Sequence, residues 1–269
     1  MTEDREKIRL GGMALLNGVL VHGPHAWACA VRTENGELKV AAEYKRLRAS
    51  EVKSALLRGP ARLAEVFALL PALRRRLPEA RLPFQRGLVL GGMLASAATV
   101  RAVKASSSLT PLARELLSGM LSAVPAALAL RGSDLAAYHG AEHISIGSYE
   151  HDAPRKREHE RCGSHMLGPL IATSAIGGAL ATRAPVALRG PARIAAQMGA
   201  LAVSTEIFSW MVRNPENPVA RALARPGHEL QHRLATAEPT PEQLEVAEAA
   251  LAACLDLEKA AETDGASKN

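Results

Sequence analysis

His139-Gly140-Ala141-Glu142-His143 sets two imidazoles four residues apart with a carboxylate beside the second. On a helix, positions i, i+3 and i+4 share a face, so two nitrogen donors and one potential base or ligand converge there. This H-x-x-E-H order is the one that an inverted zinc-peptidase helix uses. Five of the nine histidines fall between Tyr138 and His165, and Glu150, His159, Arg161 and Cys162 stand in the same stretch. Imidazole nitrogen and thiolate sulfur are the donors that zinc selects, so the stretch reads as a metal centre. The competing reading is a solvated helix face whose histidines bind nothing, because short motifs match by chance.

Those residues need a helix and a loop to hold them. Ser133 is a fair N-cap, and Asp134 suits the positive end of a helix that carries the histidines. Gly140 and Gly147 inside that helix each cost about 1 kcal/mol relative to alanine, so another backbone or a bound group should pack closely on them. The charged segment from Asp152 to Arg161 reads as a loop leading to His159, Cys162 and His165.

Around this centre the chain divides into three parts. Residues 1–50 read as β-rich: Trp27 to Thr33 and Glu37 to Tyr44 flank Asn35-Gly36, a hairpin turn signal. Gly11, Gly12 and Gly18 punctuate the preceding apolar segment, where backbone must turn or approach another element. Residues 51–235 read as helical and carry the cluster. In the span Val52 to Leu77, Leu56, Leu63, Val66, Phe67 and Leu70 recur at helical spacing. Residues 236–269 read as a C-terminal amphipathic helix with a frayed tail after Glu262. Thr240-Pro241-Glu242-Gln243 supplies its capping box, and Leu244, Ala247, Leu251 and Cys254 or Leu255 its apolar stripe. The class is therefore mainly α with a small N-terminal β-rich part (α+β), including several apolar helices open to membrane insertion.

Composition narrows the function classes. Aromatics make up 3% of the 269 residues and the formal net charge is +6. Such a balance suits an anionic partner, yet the arginines are dispersed and lack interleaved aromatics, which argues against nucleic acid. Cys29, Cys162 and Cys254 form no close pair, which argues against a disulfide framework and for a reducing compartment. Met1 to Arg9 has no apolar signal core. The stretches Met166 to Thr182 and Ile194 to Val212 are long, weakly apolar and rich in small residues, as membrane helices that pack closely are. Leu88 to Val100 and Leu116 to Leu130 are shorter, the second interrupted by Pro125. A mean hydropathy of −0.01 weighs against spanning. Arg74, Arg75, Arg76, Arg81 and Arg86 would hold their side on the cytoplasmic face if the helices insert.

Several spaced motifs together resemble the bacterial YqhQ-type family, domain of unknown function 1385. They are Tyr138-His139-Gly140-Ala141-Glu142-His143, Tyr149-Glu150, His159-x-Arg161-Cys162-Gly163, Gly11-Gly12-x-Ala14-Leu15-Leu16-x-Gly18-Val19, Leu57-Arg58-Gly59, Thr205-Glu206-Ile207 and Leu234-x-Thr236-x-Glu238-Pro239. The resemblance implies a bacterial membrane protein and a metal-dependent enzyme of unassigned reaction, and it tips the balance toward insertion. His139, Glu142, His143, Glu150, His159, Arg161, Cys162 and Glu206 match positions the family features. The chain departs from the pattern at Met13, where glutamine is usual, and at Asn17, where glutamate is usual. If that polar pair serves catalysis, this member is altered or inactive. His165 also stands where the pattern has no histidine.

The expected function is a zinc-type, membrane-associated hydrolase acting on an unidentified small or lipid-like substrate, with the site facing the cytoplasm. His139 and His143 would bind the ion and one of Glu150, His159 or Cys162 would complete it. Glu142 would serve as general base, and Arg161 would grip an anionic group in a bidentate fork. Glu206 would be a partner behind the site or a match for Arg161. Membrane lipid is the expected partner, with a homo-oligomer open. The alternatives are a non-catalytic metal-binding protein and a degenerate member acting as a membrane-surface scaffold, with a cytoplasmic location open.

Overall fold

A computed structural model describes residues 7–266. The Asn-Gly turn forms as its chemistry requires: Gly36 takes φ +79°, where a side chain would be strained, and joins β3 (Ala26–Arg32) to β4 (Leu38–Tyr44). A second hairpin, β1 (Gly11–Leu15) and β2 (Gly18–His22), pairs with β3, giving an antiparallel sheet in the order β1-β2-β3-β4. β2 and β3 read as continuous apolar runs because the sheet is covered on both faces. Val19, Val21, Ala28 and Ala30 point to one face, where α5 (Asp134–His151) and α9 (Pro241–Ala266) supply Tyr138, Ala141, Ile146, Val246, Ala247 and Cys254. Leu15, Leu20, Trp27, Cys29 and Val31 point to the other, against Leu69, Leu73 and Leu77 from α1 (Ala55–Arg76) and the residue after it.

The buried stripe of α1 differs from the periodicity expected. Leu69 and Leu73 face the sheet, whereas Leu63 and Phe67 are exposed and the Leu56 side chain lies outside the described residues. Only the last part of this long helix crosses the sheet. Its first turns meet α7 (Arg189–Arg213), where Arg58 donates from Nε to Glu206 at 2.5 Å and a Cβ on Gly59 would collide with Thr205. Glu206 is thus matched to Arg58, not to Arg161. The C-terminal capping box is present, with Thr240 N donating to Gln243 Oε1 at 3.0 Å and Gln243 N to Thr240 Oγ1 at 3.3 Å. The helix continues past Glu262 to Ala266, and the tail beyond lies outside the described residues.

Between the sheet and α5 the chain makes α2 (Gly87–Ala105), α3 (Pro111–Ser122) and the short α4 (Val124–Leu130), with Pro125 in the first turn after the break. After the site come α6 (Leu167–Ala181), α7 and α8 (Pro218–Leu230), which runs into a π turn at Gln231–Ala235. α2, α3, α6 and α7 pack on one another into a bundle. Its outer surface is apolar, with Leu88, Leu90, Leu94, Met120, Ile176 and Ile194 each about half or more exposed. By length and composition, Gly87–Ala105 and Pro111–Leu130 could each cross a membrane, and 11% of either window is buried. These are the two stretches that composition ranked lower. α6 has 15 residues, and α7 carries Arg193 and Glu206 within its length.

Candidate metal centre

α5 emerges directly from the bundle, since only Arg131, Gly132 and Ser133 separate it from α4. Ser133 is at the N-cap position, but its Oγ donates to Ala129 O at 2.7 Å and so closes the end of α4 instead. Both helix glycines have the packing reason that their cost demands. A Cβ on Gly140 would stand 2.2 Å from the carbonyl oxygen of Ala237, and one on Gly147 would press on Arg155 at 3.3 Å. Gly12 in β1 performs the same service for the site, because a Cβ there would lie 2.3 Å from Glu142 Oε1. The sheet edge therefore comes down onto the Glu142 carboxylate.

Both motif histidines are held in one tautomer by backbone carbonyls. His139 Nδ1 donates to Ala235 O at 2.8 Å, and His143 Nδ1 donates to Arg157 O at 2.6 Å. A carbonyl only accepts, so each Nδ1 carries the proton and each Nε2 presents a lone pair. These lone pairs face one another and Cys162, whose Sγ is 3.6 Å from His139 Nε2. The donor atoms of His139, His143 and Cys162 all lie within 4.8 Å of one another. Bonds of about 2.0 Å to nitrogen and 2.3 Å to sulfur at tetrahedral angles separate N and S ligands by about 3.5 Å, the spacing of the His139–Cys162 pair, and the donor types are those zinc takes. Glu142 Oε2 is 3.8 Å from both His139 Nε2 and His143 Nε2.

The other expected ligands sit one step further out. Glu150 receives His159 Nε2 on one oxygen at 3.1 Å and Arg161 Nη2 on the other. His159 Nδ1 accepts from Arg161 N at 3.3 Å, so both its ring nitrogens are engaged. Arg161 also donates to Leu10 O at 3.4 Å, which ties the loop to the start of β1. The structure thus gathers His139, His143, Cys162 and Glu142 into one group, and Glu150, His159 and Arg161 into an ion-paired group beside it. The rings of His143 and His159 are 5.5 Å apart.

Burial shapes the titration of the inner group. Desolvation raises the Glu142 carboxyl above its ordinary range, only partly opposed by the neighbouring His139 and His159. Desolvation also lowers His143, against the pull of Cys162, and so favours the neutral imidazole that a metal requires. His165, lowered by burial, is a structural residue: its Nδ1 donates to Ala224 O at 2.9 Å.

Gln231 organises this region and gave no signal in the sequence. Fully buried, it accepts from His159 N at 2.8 Å, and its amide nitrogen reaches His159 O at 3.2 Å, Ser164 Oγ at 2.8 Å and His165 Nε2 at 2.9 Å. It therefore spans the loop that presents Cys162. It also begins the π turn whose last carbonyl, on Ala235, orients His139. Single π turns inside helical segments recur at functional sites. Met13 and Asn17 are elsewhere. Met13 packs on the α1 face of the sheet, and Asn17 braces a turn by donating to Arg32 O and Glu79 O, both at 3.0 Å. Neither departure from the family pattern touches the cluster.

Residues 132–257 match the model of the family described as protein of unknown function (DUF1385). That segment contains the whole cluster, so the similarity to this family falls on the candidate site. The chain is also similar to the "Uncharacterized protein YqhQ" of Bacillus subtilis (strain 168), with 35% identity over 118 residues. The match covers 41% of this chain and 37% of that relative, so the chain spans little more than a third of the relative's length. No solved structure matches the chain.

Proposed function

We propose that this protein is a membrane-anchored, metal-dependent hydrolase whose centre is His139, His143 and Cys162, with Glu142 as the acid–base group and zinc as the favoured cation. The observation that carries the reading is the pair of Nδ1–H bonds to backbone carbonyls, which aim two imidazole lone pairs at one thiol. Such outer partners are characteristic of metal-binding histidines. A bound divalent cation would supply a polarised substrate oxygen and a more acidic water. Glu142, raised by burial and facing both imidazoles, is placed to take a proton from water and return it to a leaving group. Glu150 holds His159 and Arg161 in place and neutralises the guanidinium, so Arg161 positions the loop and meets an anionic substrate only with its remaining donors.

The position of the centre supports a membrane-borne or amphipathic substrate. α4 feeds into α5 nine residues before His139, and α6 begins five residues after Cys162. The site thus adjoins the mouth of the apolar bundle, at the depth of the headgroups if the bundle inserts with the sheet on the cytoplasmic side. A second reading, a closed structural ion, is favoured by the equal 3.8 Å approach of Glu142 to both histidines, which would let it serve as a fourth ligand.

The test is elemental analysis of protein purified without chelator or nickel, beside a His139→Ala/His143→Ala variant. One equivalent of zinc in the wild type and none in the variant is expected; equal content in both ends the proposal. Cobalt substitution then separates the readings. Absorption that shifts on adding a small anion marks an open, catalytic position, and a spectrum indifferent to it marks a closed structural one.

A further inference from the structure

The bundle ends, away from the metal centre, in a concentration of cations contributed by four helices. α2 brings Arg101 and Lys104 to its last turns, α3 begins with Arg114 in its first turns, and α6 is followed by Arg183. α7 opens with Arg189 and Arg193. Across residues 101–115 and 182–193, Glu115 is the single acid. Lys104, Arg114, Glu115, Thr182 and Arg193 line a cleft of about 40 Å³ together with Pro111. It is large enough for a small polar group and too small for an acyl chain or a ring.

Within the cleft the charges are only partly satisfied. Glu115, mostly buried against Gly178, lies 3.2 Å from Lys104 Nζ and so neutralises one cation. Arg114 spends one Nη1 hydrogen bond on Ser106 O at 3.3 Å, which leaves the rest of its fork to bind. Arg193 is exposed across the cleft from it. The Thr182 hydroxyl is spent on Ala179 O at 2.7 Å, so two guanidinium groups and an ammonium around a small polar cleft are what match the oxygens of a phosphate.

The bundle's dimensions say where that phosphate comes from. α6, with 15 residues, is about 22 Å long, and α2, with 19, about 28 Å, against a hydrocarbon core of about 30 Å. Helices this short leave their ends at or below the far interface. Long arginine and lysine stems then reach outward to the headgroups while their methylenes stay in the apolar layer. Basic pockets between membrane helices take anionic headgroups in this way.

We propose that this end of the bundle is a binding site for the phosphate headgroup of anionic phospholipids, formed by Lys104, Arg114 and Arg193. The inference rests on the membrane reading above and goes beyond it, because it assigns a specific site and lipid class remote from the metal centre.

The full chain, reconstituted from detergent, is compared by flotation with vesicles of phosphatidylcholine alone and of phosphatidylcholine with phosphatidylglycerol. Flotation with both, tighter with the anionic vesicles by about tenfold or more, is expected. The Lys104→Gln/Arg114→Gln/Arg193→Gln variant should still float with phosphatidylcholine and keep its metal content, but lose that preference. An Arg74→Gln/Arg75→Gln/Lys156→Gln variant, which removes the same charge elsewhere, should retain it. Equal flotation of the wild type with both vesicles overturns the site, as does equal loss in the two variants, which would mean diffuse attraction. Absence of flotation with either vesicle overturns the membrane reading itself and the site with it.

Discussion

In the sheet body, Val19, Leu20, Val21 and Trp27 are enclosed between α1 on one face and α5 and α9 on the other. In the bundle, side chains of the same kind, Leu90, Leu94, Met120 and Ile194, point outward and are about half or more exposed. The body is closed on both faces by its own chain. The bundle is helix on helix, and its exterior carries these exposed apolar side chains. The candidate metal centre lies at the seam, with His139 and His143 on a body helix and Cys162 on the loop that starts a bundle helix. The contrast teaches that one chain encloses one set of apolar side chains and leaves another exposed, and that the candidate site lies between the two regions.

The contrast can be broken most directly in the body. Trp27→Ala, at a side chain 1% exposed, should cost about 3–5 kcal/mol in chemical denaturation followed by circular dichroism. A small loss there would mean that the body is loosely packed. In the bundle, Leu94→Arg should cost about 3 kcal/mol in bilayers yet within about 0.5 kcal/mol if that face meets water. A neutral result in reconstituted vesicles removes the lipid-facing assignment.

The body should also respond to acid in a way the bundle does not. His22 is pushed down to about 3 from its ordinary 6.5 by burial and by the Lys45 cation, whose Nζ lies 2.9 Å from its Nδ1. The folded state holds this imidazole neutral, so between these values the unfolded chain binds more protons and stability rises with pH. Acidification from pH 6.5 to 4.5 should therefore remove about 2–3 kcal/mol, and His22→Gln should flatten that slope. An unchanged slope would assign the acid response to other groups.

At the seam, Gln231→Ala should cost about 1–3 kcal/mol, because it strands the buried His159 and His165 partners. Its sharper signature is spectroscopic. The cobalt-loaded variant should lose thiolate-to-metal absorption as the Cys162 loop loosens, while nitrogen ligation by His143 persists. Retention of the full thiolate band would reduce Gln231 to a packing residue.

How much was legible follows from the range of each interaction. The Asn35-Gly36 turn, the Thr240 capping box and the Glu142 register with His139 and His143 are local, so a few adjacent residues declare them. The close packing on Gly140 was also announced, since a glycine in a helix interior demands a reason. The partner, the Ala237 carbonyl, was not, because it arrives 97 positions later along the chain. Glu206 drew attention as a lone carboxylate in an apolar stretch, but its match to Arg58 depends on how α1 meets α7. For α1, periodicity located the helix and misjudged its buried face, because two different surfaces share that helix.

The sequence by itself determined the helical class with a β-rich start, the donors on one face of α5, and the likeness of residues 132–257 to the DUF1385 family. These rest on side-chain type and short-range backbone geometry, which neighbours along the chain dictate. Tertiary structure decided that Cys162 faces the histidines while Glu150 and His159 turn to each other. It also decided that Ala235 and Arg157 carbonyls orient the imidazoles and that Gly12 brings the sheet onto Glu142. Those choices belong to contacts between distant segments, whose directions and distances exist only once the chain has closed on itself.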